Sequence, residues 1–299
     1  MEALHELRSL LTRHAADGLN PAALPGLATA RADRPTEPTQ AVYEPAVCFV
    51  VQGAKRTLLA DRVFDYRAGD YLVVSADLPV SGHVTEAAPD APYLCLVLAL
   101  DPAVVADVLL ELPATAPPSA PTGGFAVRRA DAALLDAVLR LARLLDRPAD
   151  APVLARLIVR EIVYRLLQGE SGEMVRQIGM AESRLSQVNR ASRWIRANYA
   201  EPLRVEQLAR LAGMSVPSFH RHFKAVTAMS PLQYQKQVRL QQARGLLLSG
   251  GGEVAGVGFA VGYDSPSQFS REYRRLFGAP PGRDAQRLRT DPAAAAAIG

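Results

Sequence analysis

Arg221 and Arg271 stand at one offset in two stretches of this chain, SVPSFHRHFKAVT from Ser215 and SPSQFSREYRRLF from Ser265. Phe219 matches Phe269, Phe223 matches Tyr273 and Lys224 matches Arg274. An arginine fork can donate to both guanine O6 and N7, and a glutamine amide can pair with adenine in the same two-point manner. Aromatic residues four apart mark one buried helical stripe, so the polar positions between them face outward. With Phe219 and Phe223 turned inward, Pro217, Ser218, His220 and Arg221 share a leading face, and Ser267, Gln268, Ser270 and Arg271 are their counterparts. These eight are candidate base readers. Lys224, Arg274 and Arg275 are candidate phosphate contacts, which add affinity without sequence preference. Pro217 has no side-chain donor, so the first copy is expected to read partly by shape or methyl contact.

Each set needs a short, stiff carrier. Ser265 followed by Pro266 is a helix start, and Gly278 with Pro280-Pro281 is a stop. Ahead of each copy lies a short apolar helix ended by glycine, VEQLARLAG (Val205 to Gly213) and EVAGVGFAVG (Glu253 to Gly262). Short helix, glycine turn and polar-faced helix make a helix-turn-helix, here in tandem. The competing interpretation is a pair of core-forming hairpins with solvated basic faces. Between the copies, SPLQYQKQVRLQQARGLLL (Ser230 to Leu248) predicts a helix of roughly 18 residues, about 27 Å long. That length suits holding two reading helices near the ~34 Å repeat of duplex DNA, in successive major grooves. Gly256 and Gly258 interrupt the second unit's first helix, at about 1 kcal/mol each against alanine, and predict a looser second unit.

Residues 188–289 resemble the DNA-binding domain of the AraC/XylS family of bacterial transcription regulators. The stretch GYDSPSQFSREYRRLFGAPP is similar to that family's C-terminal signature. The resemblance implies an all-helical domain of two helix-turn-helix units on a long helix, and it points to the same leading-face positions as base readers.

Charge divides the chain accordingly. Residues 188–289 carry 16 Lys/Arg against 6 Asp/Glu, whereas residues 1–187 carry 18 against 23. The basic part is a polyanion footprint and the acidic part is not. In the acidic part, residues 1–16 read as a helix with Leu4, Leu7 and Leu11 on one side, and residues 17–41 as an irregular, proline-dotted lead-in. Short strand-like runs follow at Val47–Gly53, Arg56–Ala60, Arg62–Tyr66, Asp70–Ser75 and Tyr93–Leu100, with Pro79 among the breaks, a spacing that suits a small barrel or jelly roll. YEPAVCFVVQGAKR, YRAGDYLVVSADLPVSG and APYLCLVLALDP resemble the N-terminal effector domain of one branch of the same family. That likeness implies a cupin-like barrel that senses something.

Beyond it, Asp101–Leu112 predicts a capped helix and Pro113–Gly124 an exposed loop. Asp131–Leu145 carries a stripe of Leu134, Val138, Leu141 and Leu145, either a dimer seam or a face packed on its own barrel. Val153–Leu167 is apolar nearly all round and is expected to be buried. Residues 168–187 read as a polar connector.

The fold expected is therefore α+β in two domains. A cupin-like β-barrel or jelly roll with flanking helices (1–180) senses and dimerises. An all-α double helix-turn-helix domain (188–289) binds DNA, and 290–299 is a disordered tail. The expected partners are double-stranded promoter DNA, an unknown small-molecule effector, RNA polymerase and a second copy of the chain. A lone His83 among the barrel strands and the lack of a phosphate loop or nucleophile elbow argue against a metal-dependent cupin enzyme, so no cofactor or metal is expected. Another alternative is a barrel that only oligomerises. Two cysteines make no disulfide framework, and no apolar run approaches a membrane span, which points to the cytoplasm. Cys48 and Cys95 are each either a small buried thiol or a sensor that reacts with an electrophile or oxidant.

Overall fold

The computed structural model describes residues 2–113, 123–250 and 252–290. Helix α1 (Glu2–His14) leads into ten strands: β1 (Gly18–Pro21), β2 (Leu27–Ala32), β3 (Thr39–Tyr43), β4 (Ala46–Gln52), β5 (Ala54–Leu59), β6 (Arg62–Arg67), β7 (Asp70–Val74), β8 (Leu78–Glu86), β9 (Tyr93–Ala99) and, after helix α2 (Pro102–Glu111), β10 (Phe125–Arg129). They form a six-stranded sheet in the order β1-β2-β9-β4-β7-β10 and a four-stranded sheet in the order β3-β8-β5-β6. All pairings are antiparallel. The larger sheet turns one face to α1, whose buried Leu7, Leu10 and Leu11 pack on it. Its other face meets the smaller sheet, as in the Phe64–Phe125 ring contact at 4.4 Å.

Residues 17–41 are not an irregular lead-in. They hold β1, β2 and β3, and the prolines that hid them sit at strand ends or between strands, at 21, 25, 35 and 38. Three alanines in β2 (Ala28, Ala30, Ala32) gave little strand signal. Pro79 is likewise inside β8, opposite Val42, and β5 pairs with β8 only from Ser81 onward, so no ladder bond is missed on that side.

Helices α3 (Ala132–Arg143), α4 (Ala151–Gln168) and α5 (Gly172–Gly179) follow. Leu134, Val138, Leu141 and Leu145 are buried where α3 packs on α1 and α4, so that stripe serves the chain's own core. The expectation for α4 fails in part: Ile158, Ile162, Val163, Leu166 and Leu167 are buried, but Val153, Leu154, Leu157 and Tyr164 are exposed. The supposed connector is also structured. Met174, Val175 and Ile178 give α5 a buried face, and α6 (Arg184–Ala197) begins at Ser183, whose hydroxyl accepts from the Ser186 amide at 3.0 Å. The expected loop over Pro113–Gly124 falls mostly, and the tail from Asp291 wholly, outside the described residues.

The rest is helical: α7 (Val205–Leu211), α8 (Val216–Thr227), α9 (Pro231–Leu248), α10 (Val254–Ala260), α11 (Pro266–Phe277) and α12 (Pro281–Thr290). Helices α6 to α8 and the first part of α9 share one continuous apolar core with the sheets. The far half of α9, with α10 to α12, closes around a separate cluster of Leu240, Leu247, Val257, Val261, Tyr263, Phe269 and Tyr273. The first helix pair is thus docked on the sheets, whereas the second has an apolar cluster of its own and meets the sheet domain through Gln241, which donates to the Ala41 carbonyl, and Arg287, which pairs with Glu37. Among the described residues no helix is long and apolar enough to cross a membrane.

Candidate nucleic-acid interface

The carriers are α8 and α11. Each has an aromatic back that is completely buried, Phe219 and Phe223 in α8, Phe269 and Tyr273 in α11. The rings lock tilted or edge to face: Phe219–Phe223 at 5.3 Å, Phe223–Tyr234 at 5.5 Å, Tyr263–Phe269 at 5.4 Å and Phe269–Tyr273 at 5.6 Å. With the backs fixed, Pro217, His220, Arg221 and Lys224 stand exposed on α8, with Ser218 half-buried. On α11, Ser267, Arg271, Arg274 and Arg275 are exposed, and Gln268 and Ser270 half-buried. Ser270, Arg271, Arg274 and Arg275 line one cleft with Gly278 and Pro280. The Gln268 amide donates to Glu272 Oε1 at 3.2 Å. His222, between Arg221 and Phe223, is buried, and burial first, then the charges of Arg221 and Arg184, lowers its pKa.

The two helices stop alike. Gly278 and Ala228, fifty residues apart, both take the left-handed conformation, at φ 77° and 59°. Ser265 caps α11 by accepting from the Gln268 amide at 3.4 Å, whereas Ser215 makes no such side-chain bond in α8. Gly258 is no defect in α10. A Cβ there would meet the Phe269 ring at 3.0 Å, so the glycine lets α10 close on the buried back of α11. At Gly256 nothing lies within 4 Å.

Buried ionic groups that the sequence reading missed hold the second unit. Arg244 Nε donates to Asp284 Oδ2 at 2.8 Å, and the Tyr273 hydroxyl donates to the same oxygen at 2.9 Å, tying α9, α11 and α12. Glu272 accepts from Lys236 at 2.8 Å and from the Tyr263 hydroxyl at 2.9 Å. Arg239 spans the joint between the units, donating to the carbonyls of Tyr199 (2.6 Å), Gly262 (2.7 Å) and Glu201 (2.9 Å). Arg244, Glu272 and Asp284 are buried and Lys236 and Arg239 half-buried; charged residues on a basic helix read as solvent-facing, so only tertiary contacts reveal these partners.

The first unit is fastened to the sheets by specific bonds. Asp77 Oδ2 accepts from Arg196 at 2.8 Å, and its carbonyl accepts from the Tyr234 hydroxyl at 2.8 Å. Asn189 donates to the Ser75 carbonyl at 3.0 Å, the Gly124 amide to the Val226 carbonyl at 2.9 Å, and Arg196 also to Glu44 at 3.0 Å. Between the sheets, Cys48 and Cys95 are free thiols, Cys95 buried and Cys48 partly accessible. Among the described residues no group of three or more His, Cys, Asp or Glu is placed to hold a metal.

Residues 23–174, half of the chain, match the family model described as the AraC-type transcriptional regulator N-terminus. The chain belongs to the AraC-type transcriptional regulators. Residues 208–287 match a helix-turn-helix domain. The HTH-type transcriptional regulator ArgR of Pseudomonas aeruginosa is 28% identical over 160 residues, 52% of this chain and 47% of that protein. The virulence regulon transcriptional activator VirF of Yersinia enterocolitica is 26% identical over 152 residues, 50% of this chain and 54% of its own. The chain spans about half the length of the curated relatives it matches. Among solved structures, an apo form of a ToxT variant from Vibrio cholerae superposes with a TM-score of 0.56 over 89% of this chain and 99% of that one, at 7% identity. Wild-type ToxT bound to an unsaturated fatty acid gives 0.55 over 87% and 93%, at 8% identity. These two likenesses are of fold alone.

Proposed function

We propose that this AraC-type regulator binds asymmetric duplex sites with α8 and α11 in successive major grooves, under control of an effector bound between its sheets. The observation that carries the reading is the equivalence of the two helices. Each buries an aromatic pair and leaves an arginine exposed two residues after its first anchor, Arg221 after Phe219 and Arg271 after Phe269. In this reading Pro217, Ser218, His220, Arg221, Ser267, Gln268, Ser270 and Arg271 meet base edges, and Lys224, Arg274 and Arg275 meet phosphates. Gln268 must leave Glu272 to reach a base. The working division is 1–180 for sensing and 188–289 for DNA, and the Asp77–Arg196 contact is where the two communicate.

That ToxT, a protein of similar fold, binds an unsaturated fatty acid supports an effector for this chain, and we place its site between the sheets. For a homodimer, the exposed apolar edge of α4 (Val153, Leu157, Tyr164) is the surface we assign, since the α3 stripe is already covered. RNA polymerase is the remaining partner, the compartment is the cytoplasm, and the role is regulatory rather than catalytic.

Selection of bound fragments from a random duplex pool tests the reading. It should enrich two distinct half-motifs about 10–10.5 base pairs apart, with affinity falling steeply as salt rises. Enrichment of a single half-motif, or of none, contradicts engagement by both units.

A further inference from the structure

The groups between the sheets form a cluster that DNA binding does not use. In the β4–β9 pairing, Cys48 stands opposite Val97 and Val50 opposite Cys95, so the two thiols are diagonal neighbours on one sheet face. Tyr93, two residues before Cys95 on β9, lies on the same sheet face. When protonated, Cys95 can donate to the Leu96 carbonyl at 3.7 Å. The facing sheet supplies Lys55, Tyr43, Thr57 and Tyr66. Lys55 Cε, Thr57 Oγ1 and the Tyr43 hydroxyl converge at 3.3 Å on the space a Cβ at Gly82 would take. Lys55 Nζ lies 5.6 Å from the centre of the Tyr43 ring, and Thr57 and Tyr66 share a hydrogen bond of 2.7 Å.

Lys55 brings a cation into this space and, among the described residues, forms no ion pair with a carboxylate; Tyr43, Cys95 and Cys48 are the groups that raise its pKa. An internal ammonium without an anion is costly, and a Cys95 thiolate is the group at hand that can neutralise it. The two thiols are unequal. The neighbouring Cys48, aided by Tyr93 and Lys55, outweighs burial and holds Cys95 below the ordinary thiol range. The neighbouring Cys95, then burial, pushes Cys48 well above it. The space is reachable, since Cys48 keeps accessible surface, as do Ala28 and Ala30, whose small side chains line up with Val97 and Cys95.

We propose that Cys95 and Cys48 are a redox-active dithiol that reacts with small hydroperoxides, Cys95 attacking and Cys48 resolving. The Cys95 sulfur attacks the terminal oxygen of the hydroperoxide. Cys95 has released its proton to solvent on ionising; an S–O bond forms, the O–O bond breaks, and the departing alkoxide takes a proton back from solvent, leaving a sulfenic acid at Cys95. The Cys48 sulfur then attacks the Cys95 sulfur. The S–S bond forms, the S–O bond breaks, and water leaves with the Cys48 proton. Two thiols and one hydroperoxide give a disulfide, an alcohol (water, for hydrogen peroxide) and one further water, and the peroxide gains the two electrons the sulfurs lose. A diagonal pair must draw closer to be bridged. The register shift in β4 between Val50 and Gln52, beside this pair, gives the strand that freedom. Just ahead of β4, Glu44 holds Arg196 of the first helix unit, so a pull on β4 reaches the fastening of the DNA-binding half. That last consequence rests on the proposed function; the thiol chemistry does not.

The test treats reduced full-length protein with hydrogen peroxide and follows it by intact mass and peptide mapping. The expected product has lost two hydrogens, contains a Cys48–Cys95 linked peptide, and reverts with dithiothreitol. Cys48→Ser should stop at one added oxygen on Cys95, trapped by dimedone, and Cys95→Ser should leave Cys48 unreactive. Lys55→Met, with an unchanged circular dichroism spectrum, should slow oxidation roughly tenfold through loss of thiolate. Two thiols still free after excess peroxide, oxidation that starts at Cys48, or an unchanged rate in Lys55→Met overturns the proposal. DNA affinity measured on the same reduced and oxidised samples then judges the coupling. A disulfide with unchanged affinity refutes the route through Glu44 and upholds the chemistry. DNA bound in neither state counts against the regulator reading alone.

Discussion

Two glycines in one helix should respond to the same substitution with opposite signs. Replacing glycine by alanine inside a helix gains about 1 kcal/mol from backbone entropy alone. At Gly256 the new methyl meets nothing within 4 Å, so Gly256→Ala should stabilise by about that amount. At Gly258 it would sit 3.0 Å from Phe269 Cδ1 and 3.1 Å from Cγ. Phe269 cannot recede, because it is completely buried between the Tyr263 and Tyr273 rings. Overpacking of this kind costs about 1–3 kcal/mol, so Gly258→Ala should be neutral to destabilising by about 2 kcal/mol. Urea unfolding followed by far-ultraviolet circular dichroism reads the difference, since the second unit has an apolar cluster of its own. The variants should differ by about 1–3 kcal/mol, and only Gly258→Ala should also weaken DNA binding, because it displaces the anchor beneath Arg271. Equal stability of the two would refute the claim that α10 closes on Phe269 at this glycine.

Ala228 takes a left-handed conformation that costs an L-residue about 1–2 kcal/mol, so Ala228→Gly should raise the unfolding free energy read by urea by a net of about 1 kcal/mol. Asp77→Ala leaves Arg196 with only Glu44 and is expected to cost about 1–2 kcal/mol, less than a fully buried pair, because the Arg196 side chain is 31% exposed. It should also loosen the first unit, seen as faster amide exchange in α6 and at Tyr234. His222 has a folded pKa below its unfolded value of about 6.5, so its contribution to stability is complete above that pH and is lost as pH falls through it. The melting temperature should therefore drop between about pH 7 and pH 5, and drop less in His222→Asn.

Much of the helical half was legible because local signals agreed there. Ser265-Pro266 and Gly278 bound α11 where the sequence places them, and the four-residue aromatic spacing marks the buried backs of α8 and α11. The errors arose where a local rule met a tertiary reason. Alanines that weaken the strand signal of β2 line the space beside Cys95, and the prolines around them fall at strand ends. Gly258 looked like a flaw because its partner is eleven residues away and across a turn. The roles of Arg239, Arg244 and Asp284 are not legible in the sequence, since nothing in a helix's own spacing shows that a charge meets carbonyls or a carboxylate of another element. The α3 stripe admitted two partners, and only the packing of α1 and α4 decided between them.

The central claim is that Arg221 and Arg271 read bases from equivalent positions. Affinities of Arg221→Ala, Arg271→Ala and the phosphate-type control Lys224→Ala, measured against every single-base substitution of one selected site, test it most directly. Each arginine variant should lose about 1–3 kcal/mol and become indifferent to the base at one position, in a different half-motif for each, whereas Lys224→Ala should weaken all sequences alike. An arginine variant that weakens every sequence equally, or two that relax the same position, would contradict the account.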